Sequence, residues 1–371
     1  MQDIDASTSR YIQAWRGIAV MLVVSYHFVS RLPHEALGSS SPPLLEQQIG
    51  KIGVLIFFVI SGYLITKSLF ATVDVGAFYA KRIARIWPLF AIASVVVYVS
   101  TKYIFSPVSL GGEYSFFEEE RTFSDLIGSI FFLEDLGFDW MDGAYWSILV
   151  ELKFYFLIGA FAFLFKGKFV RAFCLFSIIV SVVDIAILAF DRTPGAVIAF
   201  DGATSLRLVS IALHGLFISQ YLPFFAIGVA LAAGQKDAML NALIAVAAAC
   251  TIIALKDDNF EHTDNVIFLL IIAVIFAFDN AILSGRIFVW IGNYSYSIYL
   301  FHQVLGLSII KALVPTVGLN AAILLGSLAI TIIAWKASDW FEMRYRHRLA
   351  NLLYKIFSVL QLNRARFSFA S

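Results

Sequence analysis

The sequence predicts an all-α integral membrane protein of about ten transmembrane helices, followed by an amphipathic C-terminal helix. Three observations carry this. First, 60% of the 371 residues are hydrophobic and 14% are charged, whereas soluble domains carry about 25% charged residues. Second, the mean hydropathy is +0.84. Third, apolar runs of roughly 17–22 residues recur along the chain, each enough to cross a ~30 Å hydrocarbon core. The 36 Phe, 15 Tyr and 7 Trp suit lipid-facing surfaces and interfacial belts. A net charge of +1 leaves no basic excess to argue for nucleic acid. Cys174 and Cys250 sit in apolar runs and read as small buried hydrophobes. Neither a disulfide nor a metal site is expected.

The runs lie near 12–30, 52–70, 86–105, 146–165, 170–190, 211–233, 239–255, 265–283, 294–311 and 319–340. The first has a weak basic n-region and no small-x-small cleavage site, so it reads as a retained helix and not a leader. In the sixth, Pro223 predicts a kink or a division. No internal repeat is visible, which weighs against many transporter folds.

Basic residues set the orientation. Lys67, Lys81, Arg82 and Arg85 follow run two, Lys166, Lys168 and Arg171 follow run four, and Arg286 precedes run nine. Arg344, Arg346, Arg348, Lys355, Arg364 and Arg366 lie in the tail. With ten spans these fall on one side, and acidic loops with Glu118, Glu134, Asp135, Asp139, Asp257 and Glu261 fall on the other. Both termini are therefore predicted cytoplasmic, with the chain multi-pass in the plasma membrane. The stretch 106–145 faces outward, and its Ser124–Leu133 segment is too short to cross. The tail, 343–371, places Leu349, Leu352, Leu353, Ile356, Phe357 and Leu360 at helical spacing among basic residues. That pattern is a helix lying on the cytoplasmic surface.

Polar residues inside the runs are the candidate site. Arg16 and His27 are eleven positions apart. At 100° per residue that is about 20° past three full turns, so they share one face about 16 Å apart. Ionisable groups in a span are costly and mark function by default. A neutral histidine in an apolar cavity suits general-base work near neutral pH. Against this stands a plainer reading, with Arg16 snorkelling and His27 wet at the far end. Arg82 and Arg85 share a face and have the forks that suit phosphate; positive-inside anchoring explains them as well. Ser61 and Gly62 permit close backbone approach, for packing or for a substrate channel. Glu151, Asp184 and His302 also lie inside runs, either as chemistry or as interhelical glue.

Together these segments resemble the acyltransferase 3 family, multi-span enzymes that O-acylate bacterial surface glycans and related acceptors. The resemblance rests on Arg16 with His27, Phe57–Tyr63, Arg82 with Arg85, Trp146–Glu151, the Arg207–Gly228 region with Pro223, and Ser295–His302. Departures are Gln303-Val304, where the family commonly has Pro, and Met343 after Glu342 near the end. The resemblance implies a transmembrane acyltransferase domain over 1–342, in a stand-alone form without a fused esterase-like domain. It implies acyl-CoA, usually acetyl-CoA, as cytoplasmic donor substrate with no permanently bound cofactor, and a glycan or glycolipid acceptor. Residue by residue, it places catalysis on His27, Glu151 and Arg16. Donor binding falls to Arg82, Arg85, Ser61 and Tyr63, and acceptor binding to His302, Tyr299 and Trp146.

The expected mechanism has His27, polarised by a partner such as Glu151, take the acceptor hydroxyl's proton for attack on the thioester. A route through an acyl-histidine stays open. The rival class is a secondary transporter of a glycan precursor or anion, distinguished by the absence of CoA release.

Overall fold

A computed structural model describes residues 2–32, 44–72, 74–105, 121–191, 212–234 and 285–359. Every regular element among them is helical. Among the described residues, five runs are long and apolar enough to cross a membrane, or up to six if a bent pair is counted as one span. The runs expected near 239–255 and 265–283 lie outside the described residues. One run, Gly143–Asp184, is 42 residues long, about 63 Å as a straight helix and twice a bilayer core. It is a hairpin. Helices Trp146–Phe165 and Phe169–Asp191 are joined by a 3₁₀ turn at Lys166–Lys168. The Phe161 ring packs on both Phe173 and Phe176 across it. Lys166, at φ 48°, makes the reversal.

The chain divides into two compact units. The first comprises 1–54, 81–149 and 273–351; the second comprises 55–80, 150–272 and 352–371.

In the first unit, α1 (Gln2–Ser25) runs on as a π-helical segment, Tyr26–Arg31. It crosses Arg286–Asn293 backbone to backbone. A Cβ built on Gly17 would lie 2.2 Å from the Phe288 carbonyl oxygen, and one on Gly292 would lie 1.7 Å from that of Gln13. Only glycine at both positions allows this approach. Helices Ser295–Phe301 and Val304–Val317 form one apolar unit bent by 61°. Both of these helices pack against Leu319–Ala337. The short helix expected within 124–133 is Phe123–Ile130, started by a capping box between Thr122 and Asp125. Burial would raise the Asp125 pKa, but hydrogen bonds from Thr122 and from the Asp139 backbone, with Arg121 nearby, hold it below the usual value.

In the second unit the C-terminal part of helix Leu44–Phe70 meets Leu222–Ala233 closely. A Cβ on Gly62 would lie 2.2 Å from the Phe225 carbonyl oxygen. The packing option for Ser61-Gly62 is thus seen. Phe225 also stacks on Phe154, with ring centroids 4.1 Å apart. Pro223 does divide the sixth run: it opens a helix of 12 residues, preceded by a separate turn at Leu216–Tyr221. The tail helix Met343–Val359 forms as expected. It keeps Leu352 and Ile356 exposed beside its basic residues, and its Tyr354 hydroxyl donates to Asp74. Asp74 in turn accepts from the Ala77 N–H at the start of Val75–Val99.

Candidate active site

The first unit holds Arg16, His27, Arg82, Arg85, Trp146, Tyr299 and His302; the second holds Ser61, Tyr63 and Glu151.

The bend between Ser295–Phe301 and Val304–Val317 organises the first group. A helix carries N–H to carbonyl bonds four residues back, and a break frees the groups on either side. Here side chains answer them. The Tyr299 carbonyl accepts from His302 Nδ1 at 2.7 Å. The Leu300 carbonyl accepts from the Tyr145 hydroxyl at 3.2 Å. The Val304 N–H donates to Asp142 Oδ2 at 2.8 Å, and Asp142 Oδ1 accepts from the Ala144 N–H at 2.8 Å. Asp142 is 1% exposed. It stabilises the bend by meeting an N–H that would otherwise lie buried without a partner.

His302 is fully buried and His27 half-buried. Their rings meet edge to face at 4.9 Å, and His302 Nε2 lies 3.3 Å from His27 Nδ1. The neighbours determine the tautomers. A carbonyl only accepts, so His302 carries its proton on Nδ1 and has a lone pair on Nε2. His27 Nδ1 lies 2.9 Å from the Val23 carbonyl, so it too is protonated. Its N–H is shared between that carbonyl and His302 Nε2. The lone pair of neutral His27 then sits on Nε2, the nitrogen that would take a proton. If it did, the Nδ1 proton would still have the His302 acceptor.

Tyr299 is buried beside His302, with ring centroids 5.3 Å apart. Its hydroxyl donates to the Ala144 carbonyl at 3.0 Å, and its oxygen lies 2.7 Å from Ser147 Oγ. Trp146 is exposed at the start of its helix. Arg16 donates to Gln13 at 3.0 Å. Arg82 and Arg85 are half-buried near the start of Val75–Val99.

In the second unit, Ser61 Oγ donates to Glu151 Oε1 at 2.7 Å, and the Tyr155 hydroxyl donates to the same oxygen. This ties helix Leu44–Phe70 to helix Trp146–Phe165. Tyr63 lies with its ring 5.8 Å from the Lys67 ammonium. His27 Nδ1 is met by the Val23 carbonyl and by His302 Nε2; Glu151, expected from the sequence as a partner of His27, lies within the second unit. Asp142 and Gln303 were not singled out as site residues by the sequence. Asp142 had one signal, its place directly before the Gly143–Tyr145 turn that opens an apolar helix.

Among the described residues, no group of three or more His, Cys, Asp or Glu side chains is arranged to hold a metal ion.

Residues 9–337 match the acyltransferase 3 family, described as an acyltransferase domain. The chain is 25% identical over 327 residues to the peptidoglycan O-acetyltransferase OatA of Listeria monocytogenes, covering 78% of this chain and 48% of that protein. It is 32% identical over 161 residues to an O-acetyl transferase of Shigella phage Sf6, covering 40% of this chain and 45% of that protein. The chain thus spans about half the length of the curated relatives it matches. No solved structure matches it. With residues 9–337 matched, the chain belongs to the acyltransferase 3 family.

Proposed function

We propose that this protein is a membrane O-acetyltransferase that moves an acetyl group from acetyl-CoA to a hydroxyl of a cell-surface or secreted glycan. The observation that carries this reading is the His27–His302 contact, which leaves His27 Nε2 as the basic nitrogen. Family membership and the names of both relatives as O-acetyltransferases support it.

The chemistry runs as follows. His27 Nε2 takes the hydroxyl proton as the hydroxyl oxygen attacks the thioester carbonyl. An O–C bond forms, the C–S bond breaks, and the departing CoA sulfur takes the proton back from His27. The transient imidazolium is steadied through Nδ1 by the Val23 carbonyl and by His302 Nε2. His302 is itself oriented by the Tyr299 carbonyl. This gives His302 the orienting part that a carboxylate plays in a Ser-His-Asp triad, without an ionised group in the membrane interior. Arg82 and Arg85 would hold CoA phosphates by bidentate forks, and Arg16 would steady the donor or the oxyanion. Trp146 and Tyr299 would shape the acceptor's surroundings. On the resemblance alone, Ser61 and Tyr63 are assigned to donor binding and Glu151 to proton handling. The protein would sit in the plasma membrane with both termini cytoplasmic.

The test is thioester consumption by purified protein in lipid. With acetyl-CoA and a glycan acceptor, wild type should release CoA and form an acetyl ester, and His27→Ala should do neither. Ester formation that survives His27→Ala overturns the assignment of the base.

A further inference from the structure

Among the described residues, Gln303 carries a buried polar atom at the helix bend that no protein group answers. It follows His302 directly and is 2% exposed, yet its side-chain Oε1 has no hydrogen-bond partner among the described residues. The contrast with its neighbours is sharp. The Tyr299 and Leu300 carbonyls, the Val304 N–H and both nitrogens of His302 are all met by named groups. The Gln303 backbone carbonyl accepts from the Leu307 N–H. The side-chain Oε1 remains, in a region flanked by Val304, Leu305 and Leu307, all buried. An unmade hydrogen bond in such surroundings destabilises the resting protein. The position has apolar alternatives of the same length that would avoid this. A buried group left unsatisfied calls for a specific explanation, and a role toward a bound molecule is one.

We infer that the Gln303 amide is a substrate-recognition group that accepts a hydrogen bond from an N–H or O–H of bound substrate next to the reacting carbonyl. This rests on the acetyl-transfer reading above. Two groups have that chemistry. One is the pantetheine amide N–H, two carbons from the thioester sulfur of acetyl-CoA. The other is a hydroxyl adjacent to the one being acetylated on the sugar. Sites built around such a bond discriminate strongly against molecules that lack it.

The experiment uses Gln303→Met, which keeps side-chain length and removes the polar atoms, and Gln303→Leu as a second variant reading the same quantities. Unfolding temperature is measured on the full chain in detergent without substrate and with acetyl-CoA, alongside KM and kcat for each substrate and equilibrium binding of radiolabelled acetyl-CoA. Expected is a ligand-free unfolding temperature at or above wild type, with KM for one substrate raised about tenfold or more. A rise confined to acetyl-CoA, with weaker binding of the labelled donor, identifies the pantetheine N–H. A rise confined to the glycan identifies the sugar hydroxyl. Gln303→Glu, which keeps the acceptor oxygens, should restore KM to within about threefold. Unchanged KM values, or a lowered unfolding temperature with activity tracking the folded fraction, overturn the inference and leave Gln303 as a packing residue around a trapped water. If wild type released no CoA at all, the transfer reading would fail. The ligand-free stability and the acetyl-CoA binding of the variants would still decide the inference for the donor amide.

Discussion

Two histidines sit against polar partners in different regions, and they are arranged in opposite ways. In the first unit His302 meets a second imidazole, His27, with no carboxylate among the hydrogen-bond partners described for either ring. In the second unit His214 Nε2 lies 2.9 Å from one oxygen of Asp184 and 3.1 Å from the other, and Ser219 Oγ donates to the same carboxylate at 3.0 Å. Asp184 is fully buried. This second cluster ties helix Phe169–Asp191 to the segment before Leu222–Ala233. A buried carboxylate holding an imidazole and a hydroxyl is costly to break, which suits a joint. A neutral imidazole can orient a second one and steady its charged form without placing a buried anion beside it, which suits a reaction. The two clusters differ in what faces the imidazole, a second neutral ring in one and a carboxylate in the other.

That contrast breaks most directly at His27. His27→Ala should lower CoA release with acceptor by about 10³-fold, within the range general-base catalysis supplies. Its unfolding temperature should stay near that of wild type. His302→Ala should follow with a loss of about 10²-fold in kcat and little change in KM for acetyl-CoA. A rate equal to wild type would sink the orienting role of His302. In the other cluster the effects should invert. Asp184→Ala should destabilise the protein by about 3 kcal/mol, as removal of one member of a buried pair does, while kcat per folded molecule stays within about threefold. A collapse of kcat with stability intact would make the second cluster catalytic. Tyr299→Phe removes a hydroxyl from Ala144 and Ser147 and should cost about 1 kcal/mol of stability, read by thermal unfolding. The smallest effect lies outside both clusters. Because the folded-state pKa of Asp125 is lowered, its capping bonds contribute stability above its unfolded pKa of about 3.9. They are lost as the pH falls toward the folded value. Hydrogen exchange over 123–130 should therefore quicken, relative to the rest of the unit, on acidification below pH ~4.

Much of the fold could be read locally. Apolar runs of the right length, the Pro223 division, the basic turn at Lys166–Lys168 and the amphipathic tail each depend on a few neighbouring residues, and each appears among the described elements. The capping box at Thr122 is equally local. The site was legible as residue types and illegible as pairs. His27 and His302 are 275 positions apart, and periodicity cannot say which face of one helix meets which face of another. Asp142 looks like one more acidic loop residue until the Val304 N–H is found against it. The Arg16–His27 geometry was argued from uniform helical spacing, which holds only as far as Ser25, where the π-helical segment begins.

That segment has a genetic consequence. A π turn takes in more residues than an α turn, so the chain here carries slack that a continuous α-helix would not. Loss of a single codon just before Tyr26, with the reading frame intact, would let the helix close up as ordinary α. Side chains past Arg31 would nearly keep their direction, because the π turn had already taken up the extra residue, whereas His27 and Phe28 inside the segment would turn relative to Arg16. The shift would swing the imidazole of His27 away from His302 and move Phe28 off Gly306, which it packs against. Variation across this point should consequently favour substitution over insertion or deletion, even where the substituted residues face lipid.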